Sequence, residues 1–362
     1  MKPSIKTLVL TGGGTAGHVM PNLALKTKLE SQGWILQYIG AKGGMEQDLL
    51  RRTTIPFHGI AAGKLRRYFD VKNFTDPFKI VGAFFQSIAL LKKLHVNLVF
   101  SKGGFVTVPV VWAAKALSIP VILHESDLTP GLANRLCLPF ASRLCVSFPE
   151  TLNHLRSEKL KAKSRLTGLP IRSELLLGDK AKGRAALSLP NDNKPILIVM
   201  GGSLGSRIVN QAIRNSLGTL LATYYVVHLC GKGNLDSSLD SLSGYRQREF
   251  LHDELPDVLA AASLAISRAG ANAIFELLAL RLPHILIPLS RAASRGDQID
   301  NAAAFEKLGY SRVIQEESLT AEHLQSELIA LEGEADSRRK AMQASPFADG
   351  INRIAEVISE VS

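Results

Sequence analysis

Two stretches of this sequence, half a chain apart, are built the same way: TLVLTGGGTAG at Thr7–Gly17 and PILIVMGGSLGS at Pro195–Ser206. Each is an apolar, β-branched run, then a glycine-rich turn, then the start of a helical pattern. Glycine allows the tight turn, and the helix that follows presents unpaired backbone amides. This is how a doubly wound α/β domain opens, so having it twice predicts two Rossmann-like domains facing each other. Further strand-like runs fall at 34–40, 97–101, 120–125 and 143–147, then at 224–230, 264–268 and 284–289. Their alternation with helical patterns predicts parallel sheets with right-handed crossovers.

A chain of 362 residues has room for two such cores. Regular structure breaks at SRLTGLPIRSELL, where Gly168 and Pro170 interrupt it. We therefore expect an N-terminal domain over 1–166 and a C-terminal domain over 167–344. The last stretch, 345–362, ends in the helical pattern INRIAEVISEVS and is expected to pack back toward the first domain. Three cysteines, Cys137, Cys145 and Cys230, form no C-x-x-C pair and suit a reducing compartment. No apolar run is long enough to span a bilayer. The net charge of +11 favours anionic partners: nucleic acid, an anionic membrane or phosphorylated ligands.

Gly12, Gly14 and Gly17 satisfy G-x-G-x-x-G, the dinucleotide fingerprint. A nicotinamide cofactor also needs a carboxylate closing the second strand, where it binds the ribose. Here that strand ends YIGAKGG, and no acid comes before Glu46, which weighs against an oxidoreductase. In the second turn Gly201, Ser203 and Gly205 satisfy G-x-S-x-G, the nucleophile elbow of hydrolases, with Asp253 and His284 downstream. His284 lies inside the apolar run LPHILIPL, where a buried structural histidine is the simpler reading, and a hydrolase leaves the first glycine turn unexplained.

Seven clusters stand where strands of a parallel sheet should end: GGTAGHVMP (13–21), SKGGFVTVP (101–109), HESDLTPGLANR (124–135), TGLPIR (167–172), GGSLGSR (201–207), SRAGANAIFE (267–276) and SRGDQIDNAA (294–303). In order and wording they resemble the MurG family of UDP-N-acetylglucosamine transferases, over the whole chain. The resemblance implies two Rossmann-like domains with a cleft between them (GT-B). It also implies an inverting transfer of N-acetylglucosamine from UDP-N-acetylglucosamine to the C4 hydroxyl of undecaprenyl-pyrophosphoryl-N-acetylmuramyl-pentapeptide, converting lipid I to lipid II in peptidoglycan synthesis. No metal and no cofactor are implied, and the place of work is the cytoplasmic face of the cell membrane, peripherally bound.

Carried over position by position, the resemblance puts Thr15, Ala16 and Gly17 beside the donor. Arg172 and Ser203 fall on its diphosphate, the backbone at Phe250 and Leu251 on the uracil edge, Glu276 on the ribose hydroxyls and Gln298 on the sugar. Some members read SGALT where this chain has AGANA at 269–273, which leaves a backbone contact around Ala271. T-G-G-H in many members is Thr15-Ala16-Gly17-His18 here, and H-E-Q-N in some is His124-Glu125-Ser126-Asp127, so an asparagine contact does not transfer to Asp127. The chemistry agrees with these places. A departing diphosphate gains negative charge that helix-start amides and a guanidinium can stabilise. The attacking hydroxyl needs a general base, for which His18 is the first candidate and Glu125 the second.

Segment 64–94, KLRRYFDVKNFTDPFKIVGAFFQSIALLKKL, interleaves cations with phenylalanines. Arg66, Arg67, Phe69, Phe74 and Phe78 are its expected contacts with an anionic membrane surface. The phenylalanines sit among aliphatics rather than in a basic groove, so no nucleic-acid partner is expected. Oligomeric state is not legible. Beside the transferase stand an oxidoreductase using the first turn, a non-catalytic membrane-docking protein, and the related transferases that glycosylate diacylglycerol.

Overall fold

In the computed structural model, which describes residues 6–61, 76–202, 205–347 and 349–362, the chain forms two compact units. One holds the chain up to Arg172 together with Asp349–Ser362, and the other holds the chain between them. The first contains β1 (Lys6–Thr11), β2 (Trp34–Ala41), β3 (Phe57–Ile60), β4 (Val96–Ser101), β5 (Val121–Glu125), β6 (Arg143–Val146) and β7 (Ser164–Leu166). They lie in the order β3-β2-β1-β4-β5-β6-β7, all parallel. The second contains β8 (Ile196–Met200), β9 (Tyr225–Leu229), β10 (Tyr245–Arg248), β11 (Leu264–Ser267), β12 (His284–Leu286) and β13 (Ser311–Val313). Their order is β10-β9-β8-β11-β12-β13, again all parallel.

In each sheet the chain winds outward from the first strand, then returns to that strand's other side. The order therefore reverses between β1 and β4 and between β8 and β11, and ligands of open α/β sheets bind at the carboxyl ends there. Burial explains why the central strands are unbroken apolar runs. Leu8 and Leu10 of β1 join Leu36 and Phe100 in one core, while Val9 points the other way to Ile39 and Val99. A strand covered on both faces has no side to give to polar residues.

Four strands, β3, β7, β10 and β13, were not anticipated by the sequence reading, and all four are sheet edges. Their sequences FHGI, SRL, YRQR and SRV are short and carry polar or half-exposed residues. An edge strand has a neighbour on one side alone, so the apolar signal is diluted.

Helix α15 (Gly350–Val361) buries Ile354, Ala355 and Ile358 in the core that holds Leu8 and Leu10. Gly350 is packed so closely that a Cβ there would stand 2.3 Å from the Leu169 carbonyl oxygen. Thr167–Arg172, assigned by sequence to the second domain, falls with the first unit. His124 Nε2 donates to the Gly168 carbonyl at 3.0 Å, tying that segment to β5. Among the described residues no helix is long and apolar enough to cross a membrane.

Candidate functional site

The second unit carries a cavity of about 730 Å³ over the carboxyl ends of β8 and β11, at the reversal point. That volume is in the range of small-molecule sites. Met200 and Gly201 border it after β8, Ser267 and Arg268 after β11, and Phe250 and Leu251 after β10. Helix α9 (Arg207–Asn215) starts on its rim, with Ser206 as the N-cap accepting the Val209 amide at 3.3 Å. At Gly205 the backbone has φ +74, and a Cβ there would collide with the Cys230 carbonyl at 1.9 Å. Only glycine fits between that loop and the end of β9.

A buried ion pair underlies the cavity. Arg268 donates to Ser206 Oγ at 2.6 Å, to the Ile287 and Pro288 carbonyls at 3.0 and 3.1 Å, and to the Glu316 carboxylate. Glu316 also accepts the Ser290 amide at 3.1 Å. Burial alone would raise the Glu316 pKa, but its bonds from Arg268 and Ser290 outweigh that and hold it below the usual value. The sequence reading extended β12 to residue 289, yet the strand stops at Leu286. There the Ile287 amide makes one more bond, to the Ser267 carbonyl at 2.8 Å, while the Ile287 and Pro288 carbonyls turn onto Arg268. Neither Arg268 nor Glu316 was given a role from sequence. The signal for Arg268 was present, since a cation placed directly after the buried run LAIS has few reasons to be there.

Of the sequence-derived donor residues, Leu251 and Gln298 line this cavity. Gln298 Oε1 accepts the Leu289 amide at 3.1 Å, which leaves its amide nitrogen on the Gly270 side. Gly270 lines the cavity as the N-cap of α12 (Ala271–Ala279), and Ala271, buried, is that helix's first residue. Glu276 does not border the cavity but stands one turn beyond Ala273, which does. Ser203 lies outside the described residues, and Arg172 belongs to the first unit. The hydrolase alternative loses its histidine. His284 is fully buried in β12, bonded through Nδ1 to the Leu282 carbonyl at 2.7 Å, and burial pushes its pKa down to about 4.

In the first unit the glycine turn after β1 is braced from below. Tyr38 donates to the Gly12 carbonyl at 2.8 Å, and Asn22 to the Thr11 carbonyl at 3.2 Å. The Gly13 amide donates to the Gly103 carbonyl at 3.3 Å, and the Gly14 amide to Glu46 Oε2 at 3.4 Å. Glu46 is buried, its other oxygen accepts the Ala41 amide at 2.7 Å, and a Cβ on Gly13 would fall 2.5 Å from its carboxylate. The amides that a dinucleotide would need at 13 and 14 are thus already bonded, one of them to a carboxylate. The acid missing from the end of β2 sits instead against the turn, where it opposes a diphosphate.

Thr15, Ala16, Gly17 and His18 follow at the start of α1 (Ala16–Ala24). His18 Nδ1 lies 3.0 Å from the Gly13 carbonyl and 3.1 Å from Thr15 Oγ1. A carbonyl can only accept, so Nδ1 carries the proton and Nε2 the lone pair of the neutral ring. Glu125 differs. Its buried carboxylate accepts the Asp127 and Gly131 amides at 3.1 and 3.0 Å and the Asn134 side chain at 2.8 Å. Burial first, and the Asp127 charge second, raise its pKa against those bonds. Its oxygens brace their own loop, 126–131.

Arg66, Arg67, Phe69 and Phe74 lie outside the described residues, as does the side chain of Phe78. The helix α4 (Asp76–Lys93) is described, and it packs on α5 (Thr107–Ala116) while leaving Val81 56% and Phe85 62% exposed, one turn apart. On α6 (Leu132–Cys137), which also packs on α5, Leu132 and Leu136 are exposed in the same way. The helix packs inward through Ala83, Ser87 and Leu91 and presents an apolar outer face at Val81 and Phe85. Among the described residues no group of histidines, cysteines and acids could hold a metal ion.

Residues 8–146 match the glycosyltransferase family 28 N-terminal domain, and residues 196–356 its C-terminal domain. Two relatives carry the name UDP-N-acetylglucosamine–N-acetylmuramyl-(pentapeptide) pyrophosphoryl-undecaprenol N-acetylglucosamine transferase. One, from Lachnoclostridium phytofermentans, is 54% identical over 357 residues, covering 99% of each chain. The other, from Clostridium perfringens, is 52% identical over 353 residues, covering 98% of each. A solved MurG from Acinetobacter baumannii superposes with a TM-score of 0.75 at 25% identity, covering 98% of this chain and 99% of that one. A UDP-GlcNAc 2-epimerase from Neisseria meningitidis, solved with UDP-GlcNAc, shares the fold at a TM-score of 0.71 and 13% identity, covering 98% of this chain and 100% of that one.

Proposed function

The chain belongs to glycosyltransferase family 28, and from that premise we propose that it moves N-acetylglucosamine from UDP-N-acetylglucosamine to the C4 hydroxyl of undecaprenyl-pyrophosphoryl-N-acetylmuramyl-pentapeptide. The observation that carries this reading is the identity of about half the residues, over essentially the whole chain, with relatives named for that reaction. In this reading the cavity of the second unit holds the donor nucleotide. Phe250 and Leu251 meet the uracil, Gln298 and the backbone at Ala271 meet the sugar side, and Glu276 takes the ribose hydroxyls. Amides at the start of α9, with Ser203 and Arg172, neutralise the diphosphate as it leaves.

His18 is the general base. Its Nδ1 proton is directed to Gly13, so Nε2 is the atom that accepts the acceptor hydroxyl's proton as that oxygen attacks the anomeric carbon and UDP departs. Thr15, Ala16 and Gly17 set the edge of the same loop. Glu125 supports the loop after β5 rather than taking the proton. No step needs a metal or a cofactor.

The acceptor is lipid-linked, so the enzyme works at a membrane surface, peripherally and on the cytoplasmic face. Arg66, Arg67, Phe69, Phe74 and Phe78 remain the proposed contacts, joined by Val81 and Phe85 on the same segment. The test is transfer of labelled N-acetylglucosamine from UDP-N-acetylglucosamine to a short-chain lipid I analogue. Formation of the disaccharide with equimolar UDP supports the proposal. Absence of transfer, with donor bound, overturns it.

A further inference from the structure

Lys102 directly follows β4 and is 1% exposed, yet the reaction above does not use it. A buried ammonium needs a partner to repay its lost hydration. Its Nζ donates to the hydroxyl of Ser126, the first residue of the loop after β5. Its backbone amide donates to the Thr11 carbonyl at 2.9 Å, and the next carbonyl, Gly103, accepts the Gly13 amide at 3.3 Å. Gly104, with φ +90, is pressed against the same turn, where a Cβ would stand 2.3 Å from the Gly13 oxygen. Residues 102–104 therefore hold the glycine turn by main chain and the loop after β5 by side chain.

We propose that Lys102 is a positioning residue: its charged ammonium clamps Ser126 and keeps the loop 126–131 in register with the glycine turn that carries His18. The idea rests on the role of general base given to His18 above. The charge matters because of what surrounds it. His124 and Glu125 face it from β5, Asp127 from the loop and Cys145 from β6. Burial pushes Lys102 down to about 8, against the attraction of Glu125 and Asp127. Burial also keeps His124 neutral and pushes the Cys145 thiol up to about 12, so neither changes charge near pH 8. When Lys102 loses its proton, Glu125 and Asp127 lose their counter-charge and Ser126 its strong donor.

Lys102→Met keeps the length and removes the charge. Hydrogen exchange at the Asp127 and Gly131 amides is read first, because it needs no turnover. In the wild type these amides lose protection between about pH 7 and pH 9 beyond the intrinsic rate, whereas in the variant they are open throughout. The kcat/KM for the lipid acceptor falls roughly tenfold or more in the variant, as a loop displaced by a fraction of an ångström requires. Affinity for UDP-N-acetylglucosamine is unchanged, and the wild type's alkaline limb near pH 8 disappears. Wild-type exchange and acceptor kcat/KM in a folded Lys102→Met, or an alkaline limb that persists in it, overturn the proposal.

If that variant does not fold, Ser126→Ala decides. Removing the acceptor hydroxyl destabilises the ammonium, so the limb moves to lower pH; an unmoved limb overturns the proposal. If the wild type transfers no sugar, the proposed reaction fails, and the exchange data alone judge Lys102.

Discussion

The Arg268 guanidinium donates to the Ser206 hydroxyl at 2.6 Å, and that hydroxyl in turn accepts the Val209 amide at 3.3 Å. One buried cation thus fixes the start of α9, where the second glycine turn meets the cavity. Arg268→Met leaves the buried Glu316 carboxylate with Ser290 but without its counter-charge, and removing one partner of a buried pair costs about 3 kcal/mol. The expected outcome is a lower Tm together with weaker UDP binding, read by thermal unfolding with and without UDP. An unchanged Tm and UDP affinity would show that the clamp carries no load.

The two glycine turns should respond differently to nucleotides. UDP-N-acetylglucosamine present at about 100 times its Kd should stabilise the folded protein by about 2.7 kcal/mol. NAD should give no shift, because the Gly14 amide already faces Glu46. A thermal-shift series checks both, and stabilisation by NAD would contradict the account of the first turn.

His18 and Glu125 should fail in different ways. His18→Ala should lower kcat by roughly 10²- to 10⁴-fold, the usual worth of a general base, with little change in Tm. Glu125→Gln should instead lower the Tm, since one oxygen that accepts amides becomes a donor facing them. Steady-state kinetics beside calorimetry separate the cases; a Glu125→Gln enzyme of normal stability and no activity would reverse the assignment.

Acid should weaken the second unit before its carboxylates titrate. His228 and His284 are buried and neutral, pushed down to about 3 and about 4 chiefly by burial. In the unfolded chain an imidazole protonates near its ordinary value of about 6.5. Below that value the unfolded state binds more protons, so stability is complete above about pH 6.5 and falls as pH drops toward 4, by at most about 1.4 kcal/mol per pH unit for each histidine. Urea midpoints between about pH 7 and 5 measure the slope, which His284→Gln should flatten.

Membrane docking should depend on the outer face of α4. Phe85→Asp should reduce sedimentation with anionic vesicles, and neutral vesicles should capture the wild type less well than anionic ones. Equal binding to both vesicle types would remove the electrostatic part of the reading, and full binding by Phe85→Asp the apolar part.

The sequence made the interiors of both sheets legible because strands such as LVLT and ILIVM are buried on both faces and so cannot hide their character. The edges FHGI, SRL, YRQR and SRV escaped because a half-covered strand needs no such run. At the site, the clusters at strand ends could be read as ligand loops, and Leu251 and Gln298 do border the cavity. The supporting charges could not be read. Lys102, Glu46, Arg268 and Glu316 act through partners far along the chain, such as Arg268 on Ser206 and Glu316, and one sequence does not reveal which loop a buried charge will meet. In the sequence Glu46 is an acid that comes too late for a ribose, and only the fold returns it to the Gly14 amide.

The placement of α15 has a consequence for biogenesis. Ile354 and Ile358 complete the core around Leu8 and Leu10, so the first sheet to leave the ribosome stays uncapped while the entire second unit is synthesised. Contacts so distant in sequence form slowly, and exposed sheet faces in the interval invite aggregation. A nascent chain halted after the second unit would therefore carry one finished domain and one still waiting for its last helix, and chaperones would be needed most by the part made first.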